Sequence, residues 1–118
     1  MSKFVLASLG ILMILILAGC TTGPPKFVND ASPVMYFESP KCHFCLQQKP
    51  ILLELADEGF RVKDMDVLAN PSYWQQYNIT GTPTFVAGNG DRLVGLQAKD
   101  KLKDWLQEHG AKIAQAGN

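Results

Sequence analysis

Val34-Met35-Tyr36-Phe37-Glu38-Ser39-Pro40-Lys41-Cys42-His43-Phe44-Cys45 is the stretch that decides how this chain folds. Val34 to Glu38 is an apolar and aromatic run closed by Ser39-Pro40, which predicts a buried strand followed by a loop. Cys42 and Cys45 then open a helical pattern. Their spacing puts two sulfurs on one face of a first helical turn, close enough to close a small disulfide. At that place the unpaired backbone N–H groups and the positive end of the helix dipole stabilise a thiolate. The environment suits a reactive dithiol, with a structural staple as the alternative.

Working outward, Phe44 to Glu58 is helical, with Ile51, Leu52, Leu55 and Ala56 as its apolar stripe and Gly59 at its stop. Pro50 is expected to kink it. Phe60 to Val67 reads as a second strand, and Asn70-Pro71 as the cap and first position of a short helix through Tyr73, Trp74 and Tyr77. Thr84–Ala87 and Arg92–Leu96 flank Gly88-Asn89-Gly90-Asp91, a hairpin signal. The last helix is expected over Asp100–His109, with Leu102, Trp105 and Leu106 inward and Gly110 ending it. The order β-α-β-α-β-β-α describes an α/β domain. A parallel crossover unit is followed by a hairpin, giving a four-stranded mixed sheet with helices on both faces.

The 118 residues suffice for one small domain, and 11 basic residues balance 11 acidic ones. No basic excess points to nucleic acid. Met1-Ser2-Lys3 followed by the apolar run Phe4–Ala18 has the form of an export signal. That run is shorter than the roughly 20 residues of a spanning helix. Leu17-Ala18-Gly19-Cys20 resembles the bacterial lipobox, which implies that residues 1–19 are a lipoprotein signal peptide and that Cys20 is lipid-modified. A plain signal peptide with an incidental cysteine is the alternative. Thr21 in place of aspartate favours, by the same resemblance, the outer membrane over the inner, with the domain facing the periplasm of a bacterial envelope. Residues 20–32, with Gly23-Pro24-Pro25, read as a linker in which Phe27-Val28 is a weak strand signal. Residues 33–110 form the domain and 111–118 a flexible tail. With Cys20 acylated, Cys42 and Cys45 remain as an isolated pair in a compartment that permits disulfides, either a staple or a working couple.

Three features together resemble the thioredoxin superfamily in the trimmed form seen in glutaredoxins. They are Cys42-His43-Phe44-Cys45 after the first strand, Pro50 five residues beyond Cys45, and Thr82-Pro83 before a strand. The resemblance runs from about Pro33 to His109. It implies that Cys42 is the exposed nucleophile and Cys45 the resolving thiol, the two forming a Cys42–Cys45 disulfide in the oxidised state. It gives His43 and Phe44 a redox-tuning role, since an imidazolium beside Cys42 stabilises its thiolate. A solvent-facing His43 is the plainer reading, and Phe44 offers an apolar surface to partners or packs locally. Pro83 resembles the family's cis-proline, and the Thr82 backbone would pair with an extended substrate segment. Threonine there is similar to periplasmic isomerases of the DsbC type.

Two positions depart from the family. Thioredoxin has a buried aspartate six residues before its first active cysteine, where this chain has Tyr36, and a tryptophan where this chain has Lys41. Glu38 shares the side of the strand with Tyr36. It reads first as a solvated strand-end charge, with a substitute acid–base role as the alternative. One Cys-X-X-Cys with His43 offers too few ligands for a closed zinc site, and Leu46 after Cys45 does not match a haem-attachment motif, so neither metal nor cofactor is expected.

The expected function is a membrane-anchored thiol–disulfide oxidoreductase acting on protein disulfides, of reductase or isomerase type rather than oxidase. It would be a monomer, recharged by a membrane electron relay or thiol redox partner. The alternative is a non-catalytic thioredoxin-like binding module of an envelope or conjugation assembly, with Cys42–Cys45 a structural disulfide.

Overall fold

A computed structural model describes residues 23–115. The expected lipobox and Cys20 lie outside the described residues. The elements are β1 (Val34–Glu38), α1 (His43–Asp57), β2 (Lys63–Asp66), α2 (Tyr73–Gln76), β3 (Thr84–Ala87), β4 (Arg92–Val94) and α3 (Lys99–Glu108). The sheet order is β2-β1-β3-β4, with β1 parallel to β2 and the other pairs antiparallel. This is the mixed four-stranded α/β fold that the sequence predicts. Among the described residues no helix is long and apolar enough to cross a membrane.

Strand alternation sorts the core into two layers. Val34, Tyr36, Phe85 and Ala87 pack with Leu52, Leu55 and Ala56 of α1 and Leu102 and Leu106 of α3. Phe37, Met65, Val86 and Ile79 form the second layer, against which Tyr73 and Tyr77 close. Each fully buried Leu or Phe contributes roughly 1.5–3 kcal/mol from its apolar surface. The first layer therefore fixes α1, and with it the cysteine motif, against the end of β1. Helix α1 runs unbroken through Pro50 and stops at Gly59, whose φ of +97° suits glycine.

Three expectations need correction. The packed unit is wider than residues 33–110. Phe27 is buried, its carbonyl accepts from the Val62 N–H at 2.8 Å, and Val28 bridges Val62 in parallel. At the other end Ala111 is fully buried, Lys112 bridges Phe60, and the Ile113 N–H donates to the Gly59 carbonyl at 3.0 Å, so residues 111–113 are held rather than frayed. Arg61 ties these ends together. Its guanidinium, on a residue only 8% exposed, donates to the carbonyls of Lys26, Ile113 and Ala56 at 2.9, 2.7 and 3.4 Å. Finally, the N-cap of α2 is Ser72, not Asn70. Asp66 organises the approach by accepting from the Leu68 and Ala69 N–H groups, and overlapping turns through Asn70 and Pro71 leave a single α-turn.

Candidate active site

The loop after β1 presents the motif. Ser39 Oγ accepts from the Lys41 N–H at 3.2 Å and the Ser39 carbonyl from the Cys42 N–H at 3.0 Å, which turns the chain into α1. Cys42 is the N-cap, with extended backbone angles, and its Sγ accepts the Cys45 N–H at 3.1 Å. A sulfur takes the place that a capping oxygen usually occupies. That hydrogen bond and the helix terminus both favour negative charge on Cys42.

Cys45 closes a disulfide with Cys42, with Cα atoms 5.1 Å apart, and is 4% exposed, whereas Cys42 is half-buried. The two sulfurs are thus unequal in access, as an attacking and a resolving thiol must be. The Thr82–Pro83 bond is cis, and the Thr82 carbonyl oxygen lies 3.4 Å from Cys42 Sγ. Thr84 Oγ holds this turn by donating to the Gly81 carbonyl at 2.7 Å, and the Gly95 N–H donates to the Pro83 carbonyl at 2.8 Å. The Thr82 carbonyl, next to the cis Pro83, therefore meets Cys42.

His43 and Phe44 point outward. The His43 ring lies edge-on to Phe44, with a nitrogen 2.8 Å from Gln47 Nε2, and Phe44 is 54% exposed beside Leu46 at 59%. The plainer expectation for His43, a solvent-facing ring, fits this arrangement, and Phe44 and Leu46 flank the sulfurs with apolar surface.

Behind Cys45 is a cleft of about 260 Å³ lined by Tyr36, Glu38, Leu46, Lys49 and Asp64, with Phe27 and Val28 at its side. Tyr36 stacks on Phe85 with ring centroids 4.9 Å apart, and its hydroxyl is held well above the ordinary range, first by burial and then by Glu38 and Asp64. Glu38 is not the solvated strand-end charge that the sequence suggests first. Its carboxyl is pushed up to about 8, chiefly by burial, then by the charge and hydrogen bond of Asp64 and by Asp66, with Lys49 opposing. Asp64 is also raised, by burial, while its hydrogen bond with Glu38 opposes the rise. Burial thus raises both carboxyls, and the hydrogen bond between them raises Glu38 while it lowers Asp64.

Gln48, Asp64 and Lys49 escape the sequence reading. Gln48 is fully buried, donates Nε2–H to the Gln97 carbonyl at 3.1 Å and accepts the Gln97 N–H on Oε1 at 2.7 Å. It pins the loop after β4 to α1. A signal existed, because Cys45, Gln48, Leu52 and Leu55 are the inward positions of α1 and one of them is a strong hydrogen-bonding residue. For Asp64 the signal is the apolar face Phe60 and Val62, which turns acidic where β2 passes Tyr36.

A sequence profile described as thioredoxin matches residues 26–108. Two curated relatives are named thioredoxin. That of Methanocaldococcus jannaschii is 28% identical over 75 residues, covering 61% of this chain and 88% of the relative. That of Rickettsia felis is 30% identical over 87 residues, covering 68% and 83%. Among solved structures, a mutant thioredoxin from Halobacterium salinarum superposes with a TM-score of 0.58 at 26% identity, covering 75% of this chain and 96% of that one. A thioredoxin of Malassezia sympodialis gives 0.56 at 26% identity, covering 73% and 81%.

Proposed function

This chain belongs to the thioredoxin family, and from that premise we propose that it is a protein-disulfide reductase or isomerase-type oxidoreductase, lipid-anchored through Cys20 on the periplasmic side of a bacterial envelope, the outer membrane favoured. The thiol–disulfide part rests on the thioredoxin domain and on the bonded Cys42–Cys45 pair at the start of α1. The observation that carries the reading is the asymmetry of the sulfurs. Cys42 caps the helix and receives the Cys45 N–H, while Cys45 is buried beneath it.

In the forward direction Cys42 attacks a substrate disulfide as thiolate, forming a mixed disulfide and releasing one substrate sulfur. Cys45 then attacks Cys42 Sγ, and the second substrate sulfur leaves. An extended substrate segment pairs beside Thr82 and Pro83, with Phe44 and Leu46 as apolar flanks. The resemblance of Thr82 to isomerase-type sites supports reduction or reshuffling over oxidation. The protein partners are those bearing disulfides or thiols, together with a membrane electron relay or thiol partner that re-reduces the pair.

The test is a Cys45→Ser trap in cells. Mixed disulfides on Cys42 with envelope proteins are the expected product, and their absence under oxidising stress sinks the enzymatic reading. A redox midpoint between about −120 and −270 mV supports a working couple, whereas one below about −300 mV supports a staple. Labelled palmitate incorporation that disappears in Cys20→Ala tests the anchor, and membrane fractionation tests the choice of membrane.

A further inference from the structure

The resolving step poses a chemical difficulty that the cleft answers. Cys45 must lose a proton before it can attack, yet it is 4% exposed, and burial favours the neutral thiol. The cleft reaches Cys45 and has room for several waters, each needing about 30 Å³. Its titratable lining comes from each packed element. Strand β1 gives Tyr36 and Glu38, β2 gives Asp64 with Asp66 next along the same face, and α1 gives Cys45 and Lys49. The N-terminal segment lines it with Pro25, Phe27 and Val28, and Asp30 acts on Asp64 from outside. Lys49 as a cation has no lone pair to offer, and the Tyr36 phenol is a poor acceptor while protonated. The hydrogen-bonded carboxyls Glu38 and Asp64 remain.

We propose that Glu38 and Asp64 act as a proton-sharing pair that takes the Cys45 proton through the cleft and returns it when the disulfide is reopened. This rests on the thiol–disulfide reading above. With one proton between them the pair is a monoanion, so it has both an acceptor and a donor to offer. In the resolving step the Cys45 S–H proton passes through water to the monoanion, which becomes the neutral diacid. The Cys45 Sγ electron pair attacks Cys42 Sγ, the Cys45–Cys42 bond forms, and the Cys42–substrate sulfur bond breaks. The substrate sulfur leaves as thiolate. Two enzyme thiols are thereby oxidised and one substrate disulfide is reduced to two thiols, and the pair then loses its extra proton to solvent along the cleft. Burial raises both carboxyls above the ordinary carboxylate range, towards neutrality, where acid–base exchange is most effective. The family's acid position is filled by Tyr36; Glu38 sits one inward residue further along β1, and Asp64 lies on the neighbouring β2 in register with Tyr36.

The experiment uses the full chain and a peptide disulfide, with attack and resolution timed separately by rapid mixing from pH 5 to 10. Glu38→Gln and Asp64→Asn are each expected to slow resolution at least tenfold at pH 7 and to abolish the limb of its pH profile near 8. The first attack, timed in the Cys45→Ser background, is expected to change less than twofold. Glu38→Asp is expected to restore part of the rate, and Asp57→Asn, on the exposed surface, to change nothing. Wild-type resolution rates with an unchanged pH profile in both carboxyl variants overturn the proposal. Failure of wild-type Cys42 to form any mixed disulfide overturns instead the functional reading on which it rests. Should either variant fold poorly, the Cys45 thiol titration decides. Removing the neighbouring anion is expected to lower the thiol's midpoint in whichever variant folds, and an unmoved midpoint refutes the coupling.

Discussion

Replacing Gln48 by methionine keeps the volume of the side chain and removes both polar ends of the link between α1 and the loop after β4. Two hydrogen bonds disappear, at 3.1 and 2.7 Å, and each is worth about 0.5–1.5 kcal/mol net. The larger effect falls on Gln97. It is 7% exposed, so its N–H and carbonyl lose their partners without gaining full access to water, at about 1–3 kcal/mol for each group left unsatisfied. Local relaxation and the better transfer of a thioether into the core offset part of this. The expected loss is about 2–4 kcal/mol, a large share of the roughly 5–15 kcal/mol that holds a small domain together. In urea the midpoint should fall by about 1–2 M with the slope unchanged. Gln47→Met is the control. Gln47 is exposed and bonds only His43 among the described contacts, so it should cost less than about 0.5 kcal/mol. Because Gly95 in the same loop bonds Pro83, substrate affinity should weaken while Cys42 keeps its reactivity towards a small alkylating agent. A Gln48→Met loss below about 0.5 kcal/mol would refute the view that this buried amide holds the loop.

Three further outcomes are expected. Glu38→Gln should stabilise the fold at pH 9 and leave it unchanged at pH 4. The native carboxyl, raised to about 8, binds its proton more tightly than the unfolded chain does, so wild-type stability falls as pH rises from about 4.5 to 8. The gain at pH 9, about 1–2 kcal/mol once solvent screening of a half-exposed group is allowed for, is measurable by urea titration at both pH values. His109 is raised by the Asp91 carboxylate and then by the Trp105 carbonyl, so the pair's contribution is full below the ordinary histidine value and lost as pH climbs through the raised one. Asp91→Asn should flatten that dependence and lower the His109 midpoint in an NMR titration. Arg61→Leu should cost about 2–4 kcal/mol, because three backbone carbonyls lose a charged donor, and should speed limited proteolysis at both ends of the domain.

The parts of this molecule that were legible in the sequence are those written in local patterns. β1 matches its expected span residue for residue because an apolar run meets Ser39-Pro40, and Gly88 to Asp91 announces the β3–β4 hairpin. Helices α1 and α3 fall within a residue of expectation because their stripes and terminal glycines agree. What escaped depends on partners far along the chain. The Val28–Val62 and Phe60–Lys112 contacts are single bridges, too short to carry a period, so both ends read as linker and tail. Arg61 looks like a surface charge until residues 26, 56 and 113 converge on it. The disposition of Glu38 was hidden for the same reason, because whether a carboxyl at a strand end is solvated depends on what the neighbouring strand and the helix above it put there.

The placement of that carboxyl has a physical logic. Position 36 lies between the rings of Phe27 and Phe85 and is 2% exposed. A carboxylate there would be desolvated by two aromatic rings, and an ionised group buried without a partner costs several kcal/mol. Tyr36 fills the same space with apolar surface, and its ring completes the stack that seats β1 under α1. Two residues along, Glu38 still faces the helix layer. There it borders a cleft, has Lys49 within electrostatic reach and is hydrogen-bonded to Asp64 of the parallel neighbour β2. Burial at that point is enough to bring an acid near neutrality but not enough to abolish exchange with water. A domain with this aromatic packing can keep a proton-handling group beside its buried sulfur only by carrying it at the rim of the core, and Glu38 occupies that rim.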